Sequence, residues 1–330
     1  MILLQQSAYR RDMDVPQIET VLGLVSTEDL GFTLCHEHVG TNAAGIRQIY
    51  PEFIDPGLED QSVDALKQAR EEGLKSIVDL TTIDLGRDIQ LIRRVSERSG
   101  VQIIAATGNH LAVPRPFADV APSVLSKLYI REIQVGIEGS DIRAGIIKVA
   151  SDAGGVTQPQ EVVLRAAALT HLETQTPIST HTWSPDKVGL QQIRILKEEG
   201  VDLTKVYIGH SNDDTDISYL HELIAHGVWV GLDRYPGGTR PGTPDWQERT
   251  AMVKQLIDEG YVGRLILSHD YSVPKARYGA EMQEERFRAN PDGYNFITRN
   301  VLPRLLELGA TPNDIDTMMI HNPRKFLEGR

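Results

Sequence analysis

Short apolar, β-branched runs recur along the chain, several of them ending in polar residues. They are Leu74 to Leu80, Val101 to Ala106, Ala144 to Val149, Pro177 to His181, Val206 to His210, Val228 to Asp233 and Arg264 to Asp270. The stretch Gly31 to Gly40, which contains His36-Glu37-His38, precedes them and makes eight. Continuous apolar runs of this length indicate strands covered on both faces. Between them, Glu161 to Glu173, Leu190 to Gly200 and Trp246 to Gly260 carry helical spacing, with glycine at several expected helix ends. Strands alternating with helices predict an α/β protein with a parallel sheet, closed as a (β/α)8 TIM barrel. The rival is an open doubly wound sheet. No Gly-x-Gly-x-x-Gly follows the first strand, which removes the dinucleotide-binding version of that rival. Ile18 to Val25 and Leu30 to Thr33, separated by Ser26-Thr27-Glu28-Asp29, predict a short N-terminal β-hairpin leading into the barrel. Residues 1–17 read as an N-terminal extension, and residues 18–330 as a single barrel domain.

The polar ends of the runs carry the candidate chemistry. His36, His38, Lys148, His181, His210 and Asp270 all fall at C-terminal strand ends, the rim where barrel enzymes build their sites. Period-2 alternation places His36 and His38 on one face and turns Cys35 to the other, as packing. Taken singly, a buried histidine is a hydrogen-bonded core residue and a strand-end aspartate a helix cap. Gathered at one rim, four histidines and an aspartate indicate a centre for divalent metals. Lys148 is the odd member, because an ammonium has no lone pair to offer. Burial beside cations favours its neutral amine, which can take up carbon dioxide as a carbamate and bridge two metals.

Composition narrows the partners. The chain of 330 residues has a formal net charge of −12 and no Lys/Arg run, which argues against a nucleic-acid partner. Hydrophobic residues at 40% and charged residues at 24% are ordinary for a packed globular enzyme. No stretch approaches the ~20 apolar residues of a membrane span. Met1-Ile2-Leu3-Leu4 gives way at once to polar residues and Arg10-Arg11, unlike a signal peptide. With a single cysteine, the expectation is a cytoplasmic protein without a membrane partner.

From about Glu19 to Leu327 the chain resembles the phosphotriesterase family of the amidohydrolase superfamily. The stretches that carry the resemblance are Thr33-Leu34-Cys35-His36-Glu37-His38, Asp84-Leu85-Gly86-Arg87-Asp88, Ala105-Ala106-Thr107-Gly108, Arg143 to Ala150, Thr180-His181-Thr182, Ile208-Gly209-His210-Ser211 and Asn290-Pro291-Asp292-Gly293. The resemblance implies two divalent metals, zinc ahead of cobalt, manganese or iron. His36, His38 and Asp270 would hold the more buried ion and His181 and His210 the outer one, bridged by carbamylated Lys148 and a hydroxide. Asp270 would act as general base on an ester or phosphoryl substrate. A homodimer is also implied.

Departures from the family pattern bear on the substrate. His110 stands where phosphotriesterases resemble one another in a Trp and the related lactonases in a Tyr. Arg234 matches the lactonases, whereas phosphotriesterases carry a histidine that relays a proton towards the carboxylate matching Asp213. Arginine stays protonated and cannot relay, so Arg234 either orients substrate or pairs with Asp213 or Asp233. The following loop, Gly237 to Asp245, is short, as in lactonases. The expected substrate pocket is His110, Arg234, Tyr235 and Tyr278, the last on the long loop after strand eight, with Asp213 and Asp233 behind it. The leading expectation is a lactonase with promiscuous hydrolysis of organophosphate triesters such as paraoxon. A dedicated phosphotriesterase (aryldialkylphosphatase) and a non-catalytic metal-binding barrel are the alternatives.

Overall fold

A computed structural model describes residues 15–53, 57–238, 242–273, 284 and 287–328. The apolar runs form strands β3 (Thr33–His38), β4 (Ser76–Asp79), β5 (Gln102–Gly108), β6 (Ile146–Ala150), β7 (Ile178–His181), β8 (Val206–Ile208), β9 (Trp229–Leu232) and β10 (Leu265–Leu267), with β11 (Tyr271–Ser272) after them. They pair in parallel in the order β10-β9-β8-β7-β6-β5-β4-β3-β11. β10 pairs with β9 and β11 with β3, so the eighth barrel position is one strand in two pieces and the (β/α)8 ring closes through it. The sequence reads this position as one run from Arg264 to Asp270. It is interrupted because Asp270 adopts φ 55°, which breaks the extended backbone. Side chains carry the seam instead: the His36 N–H donates to Ser268 Oγ at 2.9 Å, and the Asp270 N–H to the His36 carbonyl at 2.9 Å.

The hairpin exists but is shifted. β1 (Gln17–Thr20) pairs antiparallel with β2 (Gly23–Ser26), so both strands come from the stretch read as its first arm, Ile18 to Val25, and one residue at either end. The expected connection and Leu30, the first residue of the expected second arm, wind instead into a 3-10 turn, Thr27–Leu30, capped by Ser26, whose Oγ accepts from the Glu28 N–H at 3.1 Å. The hairpin closes the bottom of the barrel. The Val21 N–H donates to the Ile103 carbonyl at 2.9 Å, and Ile18 joins an inner core with Val78, Ile104, Ile146, Tyr207 and Ile266.

Cys35 belongs to the same inner core and is fully buried. It is packing, as expected, but it does not point away from the histidines' side. The β3–β4 register shifts between Leu34 and Glu37, and that irregularity resets the alternation so that Cys35 lies inside the barrel below His36. A second core, including Leu34, Ile77, Ile103, Ile147 and Val230, fills the space between the strands and the outer helices. Among those helices, Gln158–Thr174 and Trp246–Asp258 each start with a capping box, Thr157 with Gln160 and Asp245 with Glu248. Among the described residues, no helix is long and apolar enough to cross a membrane.

Candidate metal centre and active site

The strand ends bring the six expected side chains to one place. His36 Nε2 lies 3.0 Å from Lys148 Nζ and 3.6 Å from Asp270 Oδ1. His38 Nε2 lies 3.1 Å from the same Asp270 oxygen. His210 Nε2 sits 2.7 Å from His181 Nδ1 and 3.9 Å from Asp270 Oδ2. Ligand atoms of His36, His210 and Asp270 all lie within 4.8 Å of one another. Two imidazole nitrogens 2.7 Å apart need a proton or a cation to offset their lone pairs. The donor set of imidazole nitrogens and one carboxylate fits first-row divalent ions.

The tautomers are set from behind. Asp233, fully buried, places Oδ2 2.6 Å from His36 Nδ1 and Oδ1 2.8 Å from His210 Nδ1. A bare Nδ1 would oppose a carboxylate lone pair at that distance, so the proton belongs on Nδ1 of both rings, although Arg234 Nε also approaches His210 Nδ1 at 2.9 Å. Nε2 of each then turns its lone pair towards the shared space. The Tyr207 hydroxyl donates to Asp233 Oδ2 at 2.9 Å, and the His210 N–H to Oδ1 at 2.6 Å. His38 Nδ1 is 2.9 Å from Thr81 Oγ1, and His181 Nε2 is 3.5 Å from Asp152 Oδ2. Gly209 makes room for the Asp233 link, because a Cβ there would come within 3.1 Å of Asp233 Oδ2 and 2.2 Å of the Thr180 carbonyl.

Electrostatics keep these nitrogens neutral. Burial lowers the pKa of His36 and His210, with Lys148 adding to the effect at His36 and Arg234 at His210, and it brings His181 down to about 4. Burial also brings the Lys148 ammonium down to about 8, despite Asp270 and Asp233 nearby. Asp270 moves the other way. Burial alone would raise its carboxyl, but Arg234, then His36 and His38, hold it well below the ordinary range.

Two of these residues have unusual backbones. His210 stands at φ 60° and Asp270 at φ 55°, in the left-handed region that costs a non-glycine residue about 1–2 kcal/mol. Each has its N–H anchored, His210 on Asp233 and Asp270 on the His36 carbonyl.

Arg234 reaches into the centre. Its Nε lies 3.2 Å from Asp270 Oδ2, closer than the 4.0 Å to Asp213. The pairing with Asp270 was not among the sequence expectations. Asp213 is instead held by Arg249, whose Nη2 is 3.0 Å from Asp213 Oδ1. His110 is half-buried, its backbone N–H donates to Asp84 at 2.9 Å, and its ring lies edge-on to His181 at a centroid distance of 4.8 Å. Tyr235, expected in the substrate pocket, is a core residue instead, 2% exposed among apolar side chains. Tyr278 lies outside the described residues.

Sequence reasoning missed Thr81, Asp152, Tyr207, Arg249 and Glu37. The polar ending Asp79-Leu80-Thr81-Thr82 of the second run was a signal for Thr81. Tyr207 and Arg249 carry none, because each gains its role only by contact across the barrel.

A barrel whose strand-end histidines, lysine and aspartate converge in this way is a metal-dependent hydrolase scaffold. The Phosphotriesterase family model matches residues 16–327, and the chain belongs to that family. It is 38% identical over 329 residues to the "Phosphotriesterase homology protein" of Mycobacterium tuberculosis, covering 95% of this chain and 98% of that protein. It is 35% identical over 307 residues to the "Aryldialkylphosphatase" of Saccharolobus solfataricus, covering 92% and 96% respectively. The human "N-acetyltaurine hydrolase" is 27% identical over 351 residues, covering 94% and 97%.

Proposed function

We propose that this chain is a binuclear-metal lactonase with promiscuous activity on organophosphate triesters. Two divalent cations, when bound, supply a water acidic enough to attack and a Lewis acid for the oxygen of the scissile carbonyl or phosphoryl group. His36, His38 and Asp270 would hold one of them, His181 and His210 the other, and Lys148 as its carbamate would bridge them, with zinc ahead of cobalt, manganese or iron. Asp270, whose ionised form the Arg234 guanidinium favours, is the group placed to accept a proton.

The observation that carries the preference for lactones is Arg234 at the end of β9, 3.2 Å from Asp270. A guanidinium is protonated at every working pH, so it orients an ester oxygen rather than passing a proton onward. The short connection from Gly237 to Asp245 supports the same reading. The likeness to an aryldialkylphosphatase favours a second reading, a dedicated phosphotriesterase. Small-molecule esters as partners and a homodimer belong to the proposal. The test is kcat/KM on a lactone series and on paraoxon with zinc- and cobalt-loaded protein. Higher values for lactones are expected, and the reverse order would establish the second reading.

A further inference from the structure

Three consecutive backbone N–H groups around Asp270 are anchored on β3. The His269 N–H donates to Glu37 Oε1 at 2.9 Å, the Asp270 N–H to the His36 carbonyl at 2.9 Å, and the Tyr271 N–H to Glu37 Oε2 at 2.9 Å. The two groups flanking Asp270 therefore grip the two oxygens of a single carboxylate. Such convergence follows from the left-handed turn at φ 55°, which an extended backbone would undo. Glu37 is fully buried and also accepts from Ser268 Oγ at 2.7 Å and His269 Nδ1 at 2.8 Å. The His269 ring is fixed from its far side, where Nε2 accepts the Ile297 N–H at 3.1 Å.

We propose that Glu37 is a positioning residue. It holds Asp270 in the left-handed turn from which the Asp270 carboxylate meets His36, His38 and Arg234. A residue other than glycine keeps that conformation only where its surroundings determine it, and Glu37 supplies the determination from both sides. Asp233 does the corresponding work for His210, whose N–H it accepts. A carboxamide at position 37 cannot replace the carboxylate, because its NH2 would face one of the flanking N–H groups, donor against donor. The inference rests on reading Asp270 as a metal ligand and base.

The test pairs cobalt binding with unfolding of the metal-free protein. Glu37→Gln should lose at least about tenfold in cobalt affinity while keeping its near-ultraviolet circular dichroism. Glycine carries no Cβ and tolerates the left-handed turn. Glu37→Gln should therefore lower the urea midpoint less in an Asp270→Gly background than in wild type. Equal losses in the two backgrounds, or a cobalt affinity within twofold of wild type, would overturn the proposal. If folded wild type binds no cobalt, the metal-centre reading fails by itself, and the midpoint comparison alone decides the role of Glu37. If Glu37→Gln does not accumulate as folded protein, Glu37→Asp, with its carboxylate withdrawn by one methylene, takes its place under the same criteria.

Discussion

Asp233 Oδ2 lies 2.6 Å from Nδ1 of His36, and the second oxygen of the same carboxylate serves His210 at 2.8 Å. One buried acid thereby fixes the orientation and tautomer of two imidazoles that, on the proposed function, serve different metals. Asp233→Asn keeps the shape but presents an NH2 to one ring, which must then turn its lone pair backwards. The expected result is a loss of about 10- to 100-fold in zinc or cobalt affinity with the fold intact. Competition titration with a chromophoric chelator measures it, and unchanged affinity would show that the rings are held by packing alone.

Lys148 makes a pH-dependent contribution that can be measured without substrate. Its ammonium titrates near 8 in the folded chain because burial opposes the charge, against 10.5 for the free side chain. Between those values the unfolded state binds the extra proton. The metal-free protein should therefore gain stability as pH rises from 8 to 10.5 and lose that contribution as pH falls back through 8. Urea midpoints of wild type and Lys148→Met across this window should diverge in slope, with the variant flatter. Parallel curves would mean that Lys148 titrates as an ordinary lysine, unsuited to carbamate formation near neutral pH.

Arg234→His replaces a fixed cation beside Asp270 with a titratable ring. The expected outcome is unchanged metal content and a shift of about tenfold in the ratio of paraoxon to lactone kcat/KM, equivalent to ~1.4 kcal/mol of differential transition-state binding. Metal analysis with steady-state rates on both substrates checks it. A ratio that does not move would reduce Arg234 to a structural partner of Asp270.

The sequence by itself determined the barrel and the six side chains that converge at its rim. Buried parallel strands must be apolar throughout, and a polar residue at the strand end stands out against that run, which is why His36, His38, Lys148, His181, His210 and Asp270 were visible. Where the regular period broke, local reading failed. The register shift in β3 moved Cys35 inward, the capped turn at Thr27–Leu30 displaced the hairpin, and the positive φ of Asp270 split the last strand. Only the tertiary structure decided which groups stand behind the histidines. Asp233 meets His36, Glu37 meets the turn at Asp270, and Arg249 takes Asp213 from Arg234, each across a long stretch of chain. Hydrophobic periodicity is imposed locally by the backbone repeat, whereas a hydrogen bond between distant strands depends on barrel closure, which no local pattern encodes.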